Sequence, residues 1–501
     1  MSELPLALVP LDNRPCNVRF PLQIAAIAGE ELLLPNFETL GDLHHAGDAQ
    51  SVGDWVAALP EIGALIVSID MLAYGGLVFS RRTLTAEDAA LARLEVLRQF
   101  RRQRPSTPVL AFNVLMRLAV TMDSDAAATN YYNIMRYARL TDEAERFDSD
   151  YLREQLQQVQ SEIPPAALRE YSGARARNHA VNARMIEWLS EGVFDYLLIT
   201  QEDAAEFGLH RREQDALLKK AGELNVENKM SLHPGADEAA LTLIARHWNT
   251  GVKFRVHWSS LEDSRRIASF EDRPFDVSLQ QHIAAMRGVL TSDGDADFEL
   301  FINAPVGGSA KDEDSGAKAL RASRINAFAR EMEKKIESEK CIALCDVAFP
   351  NGADDVLMNA LDKRGLLGKL SAFGAWNTAG NTLGTVLAQC AAVKRSAFSD
   401  QQSAKENSQF IFERILDDWF YQSRVRSRIE KTARDNGASP LDLQDQTETV
   451  EAQARRELRV YARLVAARHF GRTLEKCDVS LPWQRAFEVD FRAELSPSIK
   501  A

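Results

Sequence analysis

"ALIVSIDMLAYGG", residues 64–76, opens as a continuous apolar run and then sets an acid, Asp70, among apolar residues and glycines. A run without alternation reads as a strand buried on both faces, as in a parallel sheet covered by helices. The "MLAYGGLVF" behind the acid is apolar and Gly-rich and does not read as a helix start, so Asp70 does not read as a cap. A carboxylate in such surroundings must be paired, hydrogen-bonded or neutralised.

The same pattern of apolar run, polar loop and amphipathic segment repeats on both sides of this stretch. "LALV" (6–9), "ELLL" (31–34), "PVLAFNV" (108–114), "YLLIT" (196–200) and "KMSL" (229–232) read as strands. So do "KFRVHW" (253–258), "FELFIN" (298–303), "CIALCDVAF" (341–349) and "LSAFGAW" (370–376). Between them lie helical segments. Thr85 is placed to cap one, with Glu87 and Asp88 in its first turn and Ala90, Leu94 and Leu97 on one face. The fold class is therefore α/β, with mostly parallel strands and covering helices.

Two arrangements satisfy the strand count: two Rossmann-like lobes facing each other, or a barrel-like N-terminal unit with additions. The polar break over 258–290 favours two lobes. The division expected is 1–258 for an N-terminal α/β lobe carrying a helical insertion at about 125–191, then 259–395 for a second α/β lobe. Residues 396–501 form a helical C-terminal region, where Ala454, Leu458, Tyr461 and Val465 share a face ahead of Gly471, a helix stop. "SEIPP" breaks the insertion into separate helices.

Composition narrows the function. The 501 residues are 45% hydrophobic and 26% charged, an ordinary globular balance. A net charge of −12 argues against a nucleic-acid surface, which needs clustered Lys and Arg. Five irregularly spaced cysteines fit reduced thiols in a cytoplasmic protein. Cys16 reads as a buried structural thiol. The N-terminus lacks the basic and apolar regions of a signal peptide, and no apolar run reaches membrane-spanning length.

Polar residues recur just after the strands. Asp12, Asn13 and Arg14 follow the first, Asp70 the third, and Gln201, Glu202 and Asp203 follow "YLLIT". His233, Asp237 and Glu238 sit in "HPGADE", Asp346 and Asn351 in "CDVAFPNGAD", and Trp376, Asn377 and Asn381 in "AWNTAGNTLG". In parallel α/β folds the loops at the carboxyl ends of strands meet along one edge, where ligands bind. Acid or amide groups there also serve as helix caps, and Asp237 and Glu238 fit that reading. Glu202 reads as the exposed neighbour of Asp203. In "AWNTAGNTLGT" an exposed Trp beside Asn side chains is the kind of surface that stacks and hydrogen-bonds a sugar. The spacing of Gly380 and Gly384 matches neither a dinucleotide nor a P-loop fingerprint, so no cofactor is assigned. The nine histidines are scattered, and no metal is assigned.

Taken together, "PLDNRPCN", "SIDMLAYGGLVFSRR", "ITQEDAAEFGLHRRE", "HPGADEAALTLIAR", "DVAFPNGAD" and "AWNTAGNTLGTVLAQ" resemble the bacterial domain-of-unknown-function family 4127. The resemblance runs from the first strand to "LPWQRAFE" near residue 488. It implies a bacterial protein of intact length and brings no established reaction.

The residues themselves suggest an enzyme acting on a carbohydrate, most simply a glycoside hydrolase with paired carboxylates. Asp70 and Asp203 are the candidate catalytic pair, with Asp12, oriented by Arg14, in support. The candidate substrate-binding set is Arg14, Asn13, Tyr74, Gln201, Asp237, Glu238, Asn351, Trp376, Asn377 and Asn381. Two alternatives stand. One is a metal-dependent hydrolase or isomerase with Asp12, His233 and Asp346 as ligands; the other is a non-catalytic binder of a small polyol. The partner expected is a small molecule, with no nucleic acid and no membrane, and self-association is open.

Overall fold

The structure is a computed structural model that describes residues 4–121, 125–292, 294–306, 315–396 and 401–496. The chain forms two compact units. The first comprises Met1–Leu22, Glu30–His247 and Phe270–Asp272; the second comprises Gln23–Gly29, Trp248–Ser269 and Arg273–Ala501.

The first unit is built on a six-stranded parallel sheet. Its strands are β1 (Leu6–Val9), β2 (Leu32–Leu33), β3 (Ala64–Ser68), β4 (Val109–Leu115), β5 (Tyr196–Gln201) and β6 (Met230–Pro234), in the order β2-β1-β3-β4-β5-β6. Every residue of β1, β3, β4 and β5 is buried, as expected of strands covered on both faces. Val9, Val67, Ala111 and Ile199 from the strands pack with Leu94 and Leu97 and with Met185 and Leu189 from two covering helices. The insertion is three helices, Asp125–Arg146, Asp150–Glu162 and Pro165–Ser190, with the break at the prolines.

The second unit carries a five-stranded parallel sheet of β7 (Lys253–Trp258), β8 (Val289–Leu290), β9 (Phe298–Asn303), β10 (Ile342–Asp346) and β11 (Ala372–Gly374). The order is β11-β10-β9-β7-β8. Read from β7, this is the same topology as the first sheet: the second strand lies on one side of the first, and the rest run out on the other. Both sheets are open, so the N-terminal part is not the barrel-like alternative. Lys253–Trp258, read from sequence with the first lobe, pairs with β9 through Phe254↔Phe298 to Trp258↔Ile302. The C-terminal region is helical over Gln401–Arg414, Ile415–Val425, Arg426–Asp435 and Thr447–Phe470, the last ended by left-handed Gly471. It also holds an antiparallel pair, β12 (Leu474–Ser480) with β13 (Asp490–Leu495), which sequence reasoning missed because charged residues are spread along both strands and only Val479, Asp490 and Phe491 are buried. Among the described residues no helix is long and apolar enough to cross a membrane.

Two local expectations are corrected. Ala86, not Thr85, is the N-cap of the helix Glu87–Gln103, whose first turn holds Glu87 and Asp88. The stretch after β3 does start a helix: Ile69–Tyr74 is a short turn capped by Ser68, whose hydroxyl accepts from Met71 N at 3.2 Å.

Candidate functional site

In the first unit the chain leaves β1 toward β2 and then crosses to β3 on the other side. The loops after β1 and β3 part at this switch point, the usual ligand crevice of open α/β sheets. The two loops touch: a Cβ built on Gly76, at φ +116°, would lie 3.2 Å from Leu11 O and 3.9 Å from Asp12 Cβ.

Asp12, directly after β1, is buried and engaged on both oxygens. Oδ1 accepts from the Arg14 backbone N–H at 3.1 Å and from Asn17 Nδ2 at 2.8 Å; Oδ2 accepts from Arg14 Nη2 at 2.7 Å. The same Arg14 Nη2 donates to Asp237 Oδ1 at 2.6 Å, so the loop after β6 closes on the loop after β1 across 223 residues. Asp237 is therefore an ion-pair partner in addition to lying near a helix start. Glu238 Oε2 accepts from Ala236 N at 2.9 Å and shapes its own turn. A cation already bridges Asp12 and Asp237, which makes Asp12 a poor metal ligand. His233 Nδ1 lies 2.9 Å from Pro234 O. Asn13 donates its backbone N–H to Gly41 O at 3.2 Å, and Cys16 is buried and free of disulfide.

Asp70 stands in the first turn of Ile69–Tyr74 and is 1% exposed. Its Oδ2 accepts from Val114 N at 2.9 Å, tying it to the neighbouring strand β4. Burial pushes its carboxyl up to about 7; the charge of Glu202 adds to the rise, while the Val114 N–H, Arg177 and Arg81 hold it back. Near neutral pH this acid is therefore half protonated.

Glu202 is not the exposed neighbour that the sequence suggested: its side chain is 12% exposed. One oxygen, Oε1, pairs with Arg81 Nη2, and Arg117 Nη1 stands 3.8 Å from it. The other, Oε2, is buried and makes no hydrogen bond among the described residues. Arg117 also pairs with Asp203, whose φ of +28° is unusual for a residue with a side chain. Burial opposes the charge on Arg117, but Asp203 and Glu202 outweigh it and raise the guanidinium. Burial lowers Arg81, and its cationic neighbours Arg117 and Arg14 add to that effect.

Tyr74 is buried at the end of the same short helix, with the Arg177 guanidinium 4.2 Å from its ring centre. Gln201 is buried, and its Nε2 donates to Glu202 O at 2.7 Å, bracing that loop. The first unit thus brings Asp12, Arg14, Asp70, Asp203 and Asp237 to the carboxyl edge of one sheet, with Glu202, Arg81, Arg117 and Arg177 interleaved. Sequence reasoning missed Arg81, although it ends the quoted "LVFSR" and follows four buried residues. Arg177 lies inside the long insertion helix and carries no local signal.

Asn351, Trp376, Asn377 and Asn381 belong to the second unit. Asn351 N donates to Asn377 O at 2.8 Å, and both residues are left-handed, at φ +59° and +56°. Trp376 is not the exposed stacking surface expected: it is 7% exposed, and its indole N–H donates to Thr385 Oγ1 at 3.3 Å. Asn381 Nδ2 donates to Thr378 Oγ1 at 3.1 Å inside the helix start. Asp346 accepts from Asn303 Nδ2 at 2.8 Å and from Asp354 N at 2.7 Å, an arrangement that braces the loop after β10.

Residues 6–492 match the model of a family described as "Protein of unknown function (DUF4127)". A comparison with curated proteins gives no match. Among solved structures, the chain is compared with Phytolacca americana UGT2 complexed with UDP-2fluoro-glucose and pterostilbene. That comparison covers 82% of this chain and 100% of that one at 10% identity, with a TM-score of 0.18. At that score the likeness carries no argument.

Proposed function

Because the chain belongs to the DUF4127 family, whose description assigns no reaction, we propose a function from its own side chains: hydrolysis of a glycosidic bond by a carboxyl pair. The observation that carries this is the unlike pair at the carboxyl edge of the sheet, Asp70 after β3 and Glu202 after β5. Asp70 is buried and holds its proton to about 7, while Glu202, its electrostatic neighbour, is paired with Arg81 and keeps a second oxygen without a protein partner. A buried acid raised toward neutral pH beside a carboxyl held by an arginine offers an acid and its counterpart. Glycosidic cleavage uses that division: one carboxyl protonates the leaving oxygen, and the other attacks the anomeric carbon or activates water.

In this reading Asp70 is the acid and Glu202 the second carboxylate. Asp203 holds Arg117 against Glu202, a positioning role in place of the catalytic one first expected. Asp12 and Asp237 fix Arg14 at the same edge. The substrate is a small carbohydrate.

The test is turnover of a panel of aryl glycosides by the full chain. Asp70→Asn and Glu202→Gln should each lower kcat by about 10²–10⁴-fold. Asp70→Asn should lose less on a dinitrophenyl leaving group, which needs little protonation. The wild-type rate should fall as pH rises through about 7, where Asp70 loses its proton. A panel with no turnover, or an Asp70→Asn variant as active as wild type on poor leaving groups, removes the proposal.

A further inference from the structure

The second unit has a cavity of its own, about 500 Å³, at the carboxyl ends of β7 and β8. That volume lies within the range of small-molecule sites, roughly 300–1,000 Å³. Its lining comes from β7, the loop after it, the helix Phe275–Ala285 and the end of β8, where the chain steps outward before crossing back to β9.

The lining is chemically specific. Trp258, the last residue of β7, supplies a flat apolar wall, braced edge-on by Phe275 with ring centres 6.1 Å apart. Leu261, 69% exposed, extends the apolar surface at the mouth. Asp276 and Gln280 enter from the helix Phe275–Ala285, and Thr291 follows β8. Asp276 Oδ1 is buried and accepts no hydrogen bond among the described residues. Arg265, exposed in the loop after β7, makes no ion pair among the described residues. Asp276 can also be read as an acid favoured by the first turn of its helix. That reading accounts for its position but leaves a buried acceptor unsatisfied, which costs free energy unless a donor arrives.

An indole wall beside amide, hydroxyl and carboxylate groups suits the apolar face and hydroxyl rim of a sugar ring. An unpaired arginine at the mouth adds a preference for an anion. We infer that the second unit binds a small anionic sugar, a sugar phosphate or a sugar acid, in the cavity between Trp258, Asp276 and Arg265. The site is separate from the Asp70–Glu202 pair and does not depend on the reaction proposed for it.

The test is calorimetric titration of the full chain with glucose 6-phosphate, glucuronate, glucose and inorganic phosphate. At least one of the two anionic sugars should saturate with a Kd of about 1 mM or tighter. Glucose and inorganic phosphate should each bind at least about tenfold more weakly, which is about 1.4 kcal/mol. The better anionic sugar tells phosphate recognition from carboxylate recognition. Arg265→Gln should erase the preference over glucose, and Asp276→Asn should weaken the sugar about tenfold, both with unchanged circular dichroism. Arg265 and Asp276 both lie in the second unit, so these variants separate this site from the one in the first unit. The inference falls if neither anionic sugar saturates or if inorganic phosphate binds as tightly as the sugar phosphate. It also falls if both cavity variants bind like wild type.

Discussion

Replacing Asp70 by Asn should make the protein more stable as the pH rises, even though the substitution removes a proposed catalytic group. The wild-type carboxyl titrates near 3.8 when the chain is unfolded and is raised to about 7 by burial in the folded state. Between those values the folded chain holds a proton that the unfolded chain has released. Stability therefore falls as pH rises from about 4 and stops falling once pH passes about 7. Three pKa units at about 1.4 kcal/mol each make the full cost about 4 kcal/mol. Asn is neutral at every pH and keeps an oxygen that can accept from Val114 N, so it escapes this cost. The experiment is denaturant unfolding of wild type and Asp70→Asn from pH 5 to pH 8. The stability difference should move in the variant's favour by about 2–3 kcal/mol across that range. Asp346 and Asp418, buried in the second unit and also raised to about 7, titrate in both proteins and cancel in the difference. Parallel pH profiles would show that Asp70 ionises freely in the folded state, and the acid role would go with that result.

Two further substitutions test the frame around the pair. Arg14→Met leaves Asp12 and Asp237 buried without the cation between them and should cost about 3–5 kcal/mol in denaturant unfolding; a loss under about 1 kcal/mol would mean that the bridge contributes little. Gly75→Ala places a methyl at φ +83°, 2.6 Å from Gly47 O and 2.8 Å from Gly47 N, so the left-handed strain of about 1–2 kcal/mol is joined by overlap with backbone that cannot yield. A melting temperature within about 1 °C of wild type would refute that packing.

The reading of the chain alone was strongest where the physics is local. Continuous apolar runs such as "ALIVS" and "YLLIT" carry their burial in their composition, because a strand covered on both faces has no polar side to show. Asp70 was legible for the same reason: an acid inside an apolar run has few inexpensive environments. What such reading could not supply is pairing. Glu202 lies 132 residues beyond Asp70, and the two become neighbours only because β3, β4 and β5 stand side by side. The value near 7 on Asp70 is likewise a property of enclosure and of charges delivered by other strands. Lys253–Trp258 shows the limit for assembly: its residues mark it as a strand, but only hydrogen bonding to Phe298–Asn303 assigns it to the second sheet. Trp376 shows it for exposure, since an indole beside amides reads the same whether it faces solvent or, as here, is buried with its N–H on Thr385. Sequence thus determined most of the segments that become strands, β8, β12 and β13 aside, and which side chains stand at their ends. Tertiary structure decided which of those ends meet, because charge and burial act through space between residues that the chain keeps far apart.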